Sequence, residues 1–121
     1  AERVKIGVQI AKEYVDDEDA FSKKIYDVIG AGVGIIESVP AAVSIAYYTQ
    51  DPNKCCLMCA NLGGDTDTIG AMATAICGAF VGYSKINPEY TELLRVQNPE
   101  TDFEEYINIL EKGRELLGCG R

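Results

Sequence analysis

Residues 63–82 read G-G-D-T-D-T-I-G-A-M-A-T-A-I-C-G-A-F-V-G. Two glycines run into an Asp-Thr-Asp-Thr repeat, and a long stretch without charge follows. The longest uncharged run, Thr68 to Ser84, is shorter than the roughly 20 residues of a membrane span and contains three glycines. A buried helix is the expectation. Within it Gly70, Thr74, Gly78 and Gly82 are four apart, as are Ala71, Ala75 and Ala79, and residues four apart share a helical face. An interior glycine costs about 0.5–1 kcal/mol relative to Ala. Close packing on several sides has to offset that, so the helix is expected at the centre of its fold.

The segments on either side also read as helices. Glu2 to Tyr14 places Val4, Val8, Ala11 and Val15 on one face; the alternation of Val4, Ile6, Val8 and Ile10 keeps a strand open as the lesser reading. Asp16-Asp17-Glu18-Asp19 is an acidic turn suited to a helix start. The next helix, about Ala20 to Ile29, presents Phe21, Ile25 and Val28 together and is broken by Gly30, Gly32 and Gly34. Ser38 to Gln50 reads as a helix with Pro40 in its first turn. Asp51-Pro52 and Asn87-Pro88 are cap-then-proline starts. Thr101-Asp102-Phe103-Glu104 matches a capping box, with Thr101 as cap, and its helix runs to about Leu117. No regular repeat or low-complexity tract appears. The expected fold is all-α: a compact bundle of about six or seven helices around the small-residue helix.

Composition narrows the function. The chain has 121 residues, a net charge of −8, and neither histidine nor tryptophan. An acidic surface disfavours a nucleic-acid backbone and anionic lipid. Without histidine, Ser-His-Asp and Cys-His mechanisms cannot be completed within the chain. The five cysteines form no spaced disulfide framework, which fits a reducing, cytoplasmic setting. Cys55, Cys56 and Cys59 cluster, Cys77 lies in the apolar run and Cys119 near the end. One cluster without histidine or a second pair is a poor zinc site, and small buried hydrophobes are the simpler reading. Ala1 to Tyr14 carries charges throughout, unlike a signal peptide. A chain beginning at Ala1 is accounted for by a removed initiator Met or by a larger parent protein.

Asp65, Asp67 and Thr68 hold the chemical interest. Asp and Thr are preferred caps, and a carboxylate at a helix start is favoured by the helix dipole. A cap needs one side chain, however, and here four polar ones stand between a glycine pair and an apolar wall. Two carboxylates and a hydroxyl at an irregular helix start can reach one point. Oxygen donors of that kind suit Mg²⁺ or Mn²⁺. An octahedral ion takes six ligands, so these residues make only part of a site. Tyr47-Tyr48 and Tyr83 suit either packing or stacking on an adenine. Glu37, beside the glycine-rich turn, suits either a helix cap or a place in a substrate cleft. Glu104-Glu105 reads as capping and solvated surface.

Gly63-Gly64-Asp65-Thr66-Asp67-Thr68, running into Ile69 to Gly82, resembles the C-terminal metal motif of the ADP-ribosylglycohydrolase family. That family includes the dinitrogenase-reductase-activating glycohydrolases and the J-type lens crystallins. Glu37-Ser38-Val39-Pro40-Ala41-Ala42 resembles the family's helix before that motif, and the likeness covers about Gly32 to Gly82. It implies an all-α fold with two Mg²⁺ or Mn²⁺ ions, ligated in part by Asp65, Asp67 and Thr68, with Asp67 bridging. It implies a hydrolase in which the ions orient the ribose diol of an ADP-ribosyl group and polarise a water that attacks the anomeric carbon. Its substrate would be an ADP-ribosylated molecule or an ADP-ribose-like small molecule. Family members are about twice this length or more, and their N-terminal half supplies a Gly-Asp motif with a catalytic Glu and a Thr-Asp-Asp metal motif. Neither is present, so residues 1–121 read as the C-terminal portion of one such domain, incomplete without its N-terminal part. The catalytic Glu is expected outside this chain. The alternative is a crystallin-like structural relative, or a fragment, without turnover.

Overall fold

The computed structural model describes residues 1–118; Cys119 lies outside the described residues. Its helices are α1 (Glu2–Glu13), α2 (Glu18–Lys24), α3 (Ile35–Thr49), α4 (Pro52–Leu62), α5 (Thr66–Val81), α6 (Pro88–Gln97) and α7 (Phe103–Leu116). A π-helical turn (Ile25–Ile29) extends α2, and a 3₁₀ turn (Tyr83–Lys85) follows α5. No strand occurs among the described residues, so the all-α expectation holds. No helix among them is long and apolar enough to cross a membrane.

The chain forms two compact units, Ala1–Ile86 and Asn87–Arg121. In the first, α3 lies against α1 on one side and α5 on the other, and α4 packs on α5. The core is built from Phe21, Ile25, Ile29, Ile45, Ile69, Cys55, Cys59 and Cys77, all fully buried, with Ala41, Ala42 and Ala73 filling the narrow gaps between helices. Small residues set those gaps. A Cβ on Gly7 of α1 would overlap the Ser44 hydroxyl of α3, which donates to the Pro40 carbonyl at 2.6 Å.

Several local readings shift. The face of α1 turned to the core is Gly7, Ile10 and Ala11, while Val15 is exposed because the helix stops at Glu13. Ile29 takes the inward place expected of Val28, which is exposed. The cause is the π turn, where Gly30 N–H donates to Ile25 C=O at 3.1 Å; its wider winding advances the inward row by four residues. Helix α3 begins at Ile35, so Pro40 sits in its second turn rather than its first, where Pro denies a helical hydrogen bond to the Ile36 carbonyl.

Helix α5 lies between α3 and α4, and its inward row is Ile69, Ala73 and Cys77. Ala71, Ala75 and Ala79 are exposed, and a Cβ at Gly78 would meet nothing within 4 Å. Nearer the start of the helix, by contrast, a Cβ on Gly70 would lie 3.4 Å from the Cys59 Cβ of α4.

The second unit holds α6 and α7. Asn87 caps α6 by accepting from Glu89 N–H at 3.0 Å. The cap of α7 is Asp102, accepting from Glu105 N–H at 3.0 Å, one residue later than the Thr101 box predicts. A carboxylate competes better than a hydroxyl for an N–H at the positive end of a helix. Arg95 and Glu104 form an ion pair at 3.1 Å between these helices, and neither helix buries a residue fully.

Candidate metal centre

Helix α4 ends at Leu62 with Gly63 as its C-cap and α5 starts at Thr66, so the motif spans the tight turn between them and the first turn of α5. Gly63 has φ +85° and Gly64 φ +72°, the left-handed region that glycine enters without a steric penalty. The turn is clamped from outside. Asp65 N–H donates to the Ala31 carbonyl at 2.7 Å, and a Cβ on Gly64 would lie 2.9 Å from the Ala31 carbonyl carbon. The glycine-rich segment 30–34 therefore lies directly on the motif.

Asp65 occupies the N-cap position of α5, yet its side chain caps nothing. By contrast, Asp17 accepts from Ala20 N–H at 2.9 Å, and Asp51 accepts from Asn53 N–H at 2.8 Å. The Asp65 carboxyl turns instead to Asp67. The hydrogen bond between them, with the N–H groups of Thr68 and of Asp67 itself, holds Asp67 below the usual carboxylate range. Asp65 is half-buried, whereas Asp67 and Thr68 are exposed. Both carboxyls and the Thr68 hydroxyl thus stand at one open helix start, an all-oxygen donor set of the kind hard divalent ions select. In chemistry, three such donors suit part of the shell of an octahedral ion, which takes six ligands. Among the described residues no group of three or more His, Cys, Asp or Glu side chains converges on a point.

Glu37 does not cap α3. Its carboxylate reaches back over the preceding loop and accepts from Gly32 N–H at 2.9 Å. The tyrosines divide. Tyr48 stacks on Phe21, with centroids 3.9 Å apart and planes 6° from parallel, and its hydroxyl donates to the Tyr14 and Val15 carbonyls at 3.2 Å each. It is a packing residue. Tyr47 and Tyr83 are exposed. A groove of about 740 Å³ opens between α2 and α4, lined in part by Ser22, Tyr26, Leu57 and Asn61. It touches the motif only at Gly63 and includes none of Asp65, Asp67, Thr68 or Glu37.

The buried thiols are Cys55, Cys59 and Cys77; Cys56 is exposed, and all four are free. The sequence clusters Cys55, Cys56 and Cys59; in the fold Cys55 and Cys59 of α4 stay together, Cys56 faces outward, and Cys77 of α5 joins the buried pair. Cys77 Sγ lies 3.6 Å from Thr49 Oγ1 and 3.7 Å from the Ala46 carbonyl that it donates to. Cys55 is driven far above the usual thiol range, first by its hydrogen bond to Cys59 and then by burial. These thiols serve as core atoms.

A family model described as ADP-ribosylglycohydrolase matches residues 2–117. The chain belongs to the ADP-ribosylglycohydrolase family. It is 47% identical over 116 residues to an uncharacterized protein YegU of Escherichia coli K12, covering 95% of this chain and 34% of that protein. It is 30% identical over 96 residues to the ADP-ribosylarginine hydrolase Tri1 of Serratia proteamaculans, covering 69% and 26%. With the human ADP-ribosylhydrolase ARH3 it shares 29% identity over 85 residues, covering 61% and 23%. The chain thus spans about a third of the length of the first of these relatives and about a quarter of the other two. No solved structure matches it.

Proposed function

We propose that this chain is the metal-binding C-terminal part of a hydrolase that cleaves the glycosidic bond of ADP-ribosyl or related ribosyl groups. The observation that carries the reading is Asp65. It stands at a helix N-cap, caps nothing, and its carboxyl lies beside that of Asp67. Two carboxyls drawn together repel unless a proton or a cation lies between them. Asp65, Asp67 and Thr68 would hold one side of a pair of Mg²⁺ or Mn²⁺ ions, with Asp67 between the two. When bound, such ions supply Lewis-acid polarisation of water and a template for the ribose diol.

The chain's own contribution is the placement of donors. The positive end of α5 favours negative charge in its first turn, and Asp67 is held below the usual carboxylate range. The Gly63–Gly64 turn and its clamp on Ala31 fix the direction from which they point. The remaining ligands and the catalytic Glu belong to an N-terminal part of the same protein. The substrate class follows the names of the relatives: ADP-ribosylated molecules, with ADP-ribosyl-arginine among them. Free thiols and acidic charge suit a cytoplasmic protein that binds no nucleic-acid backbone.

The test is Mn²⁺ binding by paramagnetic resonance and hydrolysis of ADP-ribosyl-arginine peptides and other ADP-ribosylated molecules, with the full-length protein that carries this chain. Asp67→Ala is expected to lower both affinity and turnover by at least about 100-fold. Unchanged binding and turnover in Asp67→Ala would refute the reading. A stable protein that binds no metal would support the crystallin-like structural relative instead.

A further inference from the structure

The segment 30–34 has no regular structure and contains three glycines, yet it supplies the carbonyl on which the metal motif rests. Something must hold it. The Glu37 carboxylate accepts from Gly32 N–H at 2.9 Å, a charge-assisted bond stronger than a neutral one. The same carboxylate fills the space beside the loop: a Cβ on Gly30 would lie 2.6 Å from it, and one on Gly32 2.7 Å from its Oε2. Between those glycines Ala31 is buried, and its carbonyl accepts from Asp65 N–H at 2.7 Å. One continuous path runs from the Glu37 side chain through Gly30-Ala31-Gly32 to the backbone of Asp65.

We propose that Glu37 is a positioning residue for Asp65 and Asp67: its carboxylate shapes the 30–34 loop, and the loop's Ala31 carbonyl fixes the Asp65 backbone. The proposal rests on the metal reading of that motif. Gly30 and Gly32, lacking side chains, leave the space beside the loop that this carboxylate fills. Without the carboxylate the loop regains the freedom that glycines allow, and Asp65 N–H loses a fixed acceptor.

The experiment uses the full-length protein and two readouts: Mn²⁺ affinity and the hydrogen-exchange rate of the Asp65 amide. Glu37→Ala is expected to weaken Mn²⁺ binding about tenfold and to speed Asp65 exchange by about the same factor. Glu37→Gln keeps a carbonyl oxygen for Gly32 N–H and is expected to stay within about threefold of the parent on both. Gly32→Ala, whose Cβ would displace the carboxylate, is expected to reproduce Glu37→Ala with the charge still present; it decides the matter on the same readouts if Glu37→Ala does not fold. Unchanged readouts in these variants overturn the proposal. So does a Glu37→Gln protein that loses as much affinity as Glu37→Ala while Asp65 stays protected, since Glu37 would then act directly on ion or substrate. Asp67→Ala separates the two claims. If it still binds Mn²⁺, the metal reading fails, and Asp65 exchange in the Glu37 variants still judges the loop coupling.

Discussion

Gly64→Ala should be among the most damaging of the conservative changes open to this chain. Two costs add. At φ +72° an alanine meets the left-handed penalty of roughly 1–2 kcal/mol. Its Cβ would overlap the Ala31 carbonyl oxygen and lie 2.9 Å from the carbonyl carbon. Those are backbone atoms, so no side chain can swing aside. The turn must move off the 30–34 loop and lose the 2.7 Å bond from Asp65 N–H to Ala31 C=O, worth about 0.5–1.5 kcal/mol. The sum is roughly 1.5–3.5 kcal/mol, or a fall in melting midpoint of about 10 °C for a chain this size. Gly78→Ala is the control. It sits inside α5, and its Cβ would meet nothing within 4 Å, so in the 121-residue chain it should stabilise by about 0.5–1 kcal/mol. Urea unfolding followed by circular dichroism measures both. A Gly64→Ala chain as stable as the parent would refute the clamp, and with it the physical account of how the motif is aimed.

Caps and site ligands should also separate by mutation. Asp51→Ala removes a side chain that accepts from Asn53 N–H and should cost about 1 kcal/mol, whereas Asp65→Ala, which removes no cap bond, should cost no more than the few tenths of a dipole contribution; equal costs in urea unfolding would show that Asp65 is a cap after all. Among the four described thiols, Cys56 should react first with a maleimide at neutral pH, because it alone is exposed. Cys55, with its thiol held protonated by Cys59 and burial, should label only on unfolding, and mass spectrometry of labelled peptides gives the order. Rapid labelling of Cys55 in the native chain would contradict the packed core.

Much of this protein is written locally. Helix starts at Asp51-Pro52 and Asn87-Pro88 were legible because a cap and a proline each act within one turn, on their own backbone. Asp65, Asp67 and Thr68 were legible as candidates because hard-ion donors at a helix start are a short-range pattern. The displaced elements share a different cause. Ile29 rather than Val28 faces the core because a π turn intervenes, and no residue type announces a π turn. Helix α3 begins one turn before Pro40 because Gly34 serves as its N-cap, a choice that three closely spaced glycines leave open. Cys77 joined Cys55 and Cys59 only when α5 was laid against α4.

The sequence by itself determined the class of fold and the positions of most helix starts, and it singled out Asp65, Asp67 and Thr68 as candidate oxygen donors, since each depends on residues within a turn or two of one another. Only the tertiary structure decided what Asp65 does not do, and what Glu37 does. Whether a carboxylate caps its own helix or turns away depends on the path of the backbone entering it. Here that path is set by a carbonyl at Ala31, far along the chain, held in place through a loop that Glu37 fills. Steric exclusion between distant segments has no signature in local spacing, and it appears only when the two backbones meet.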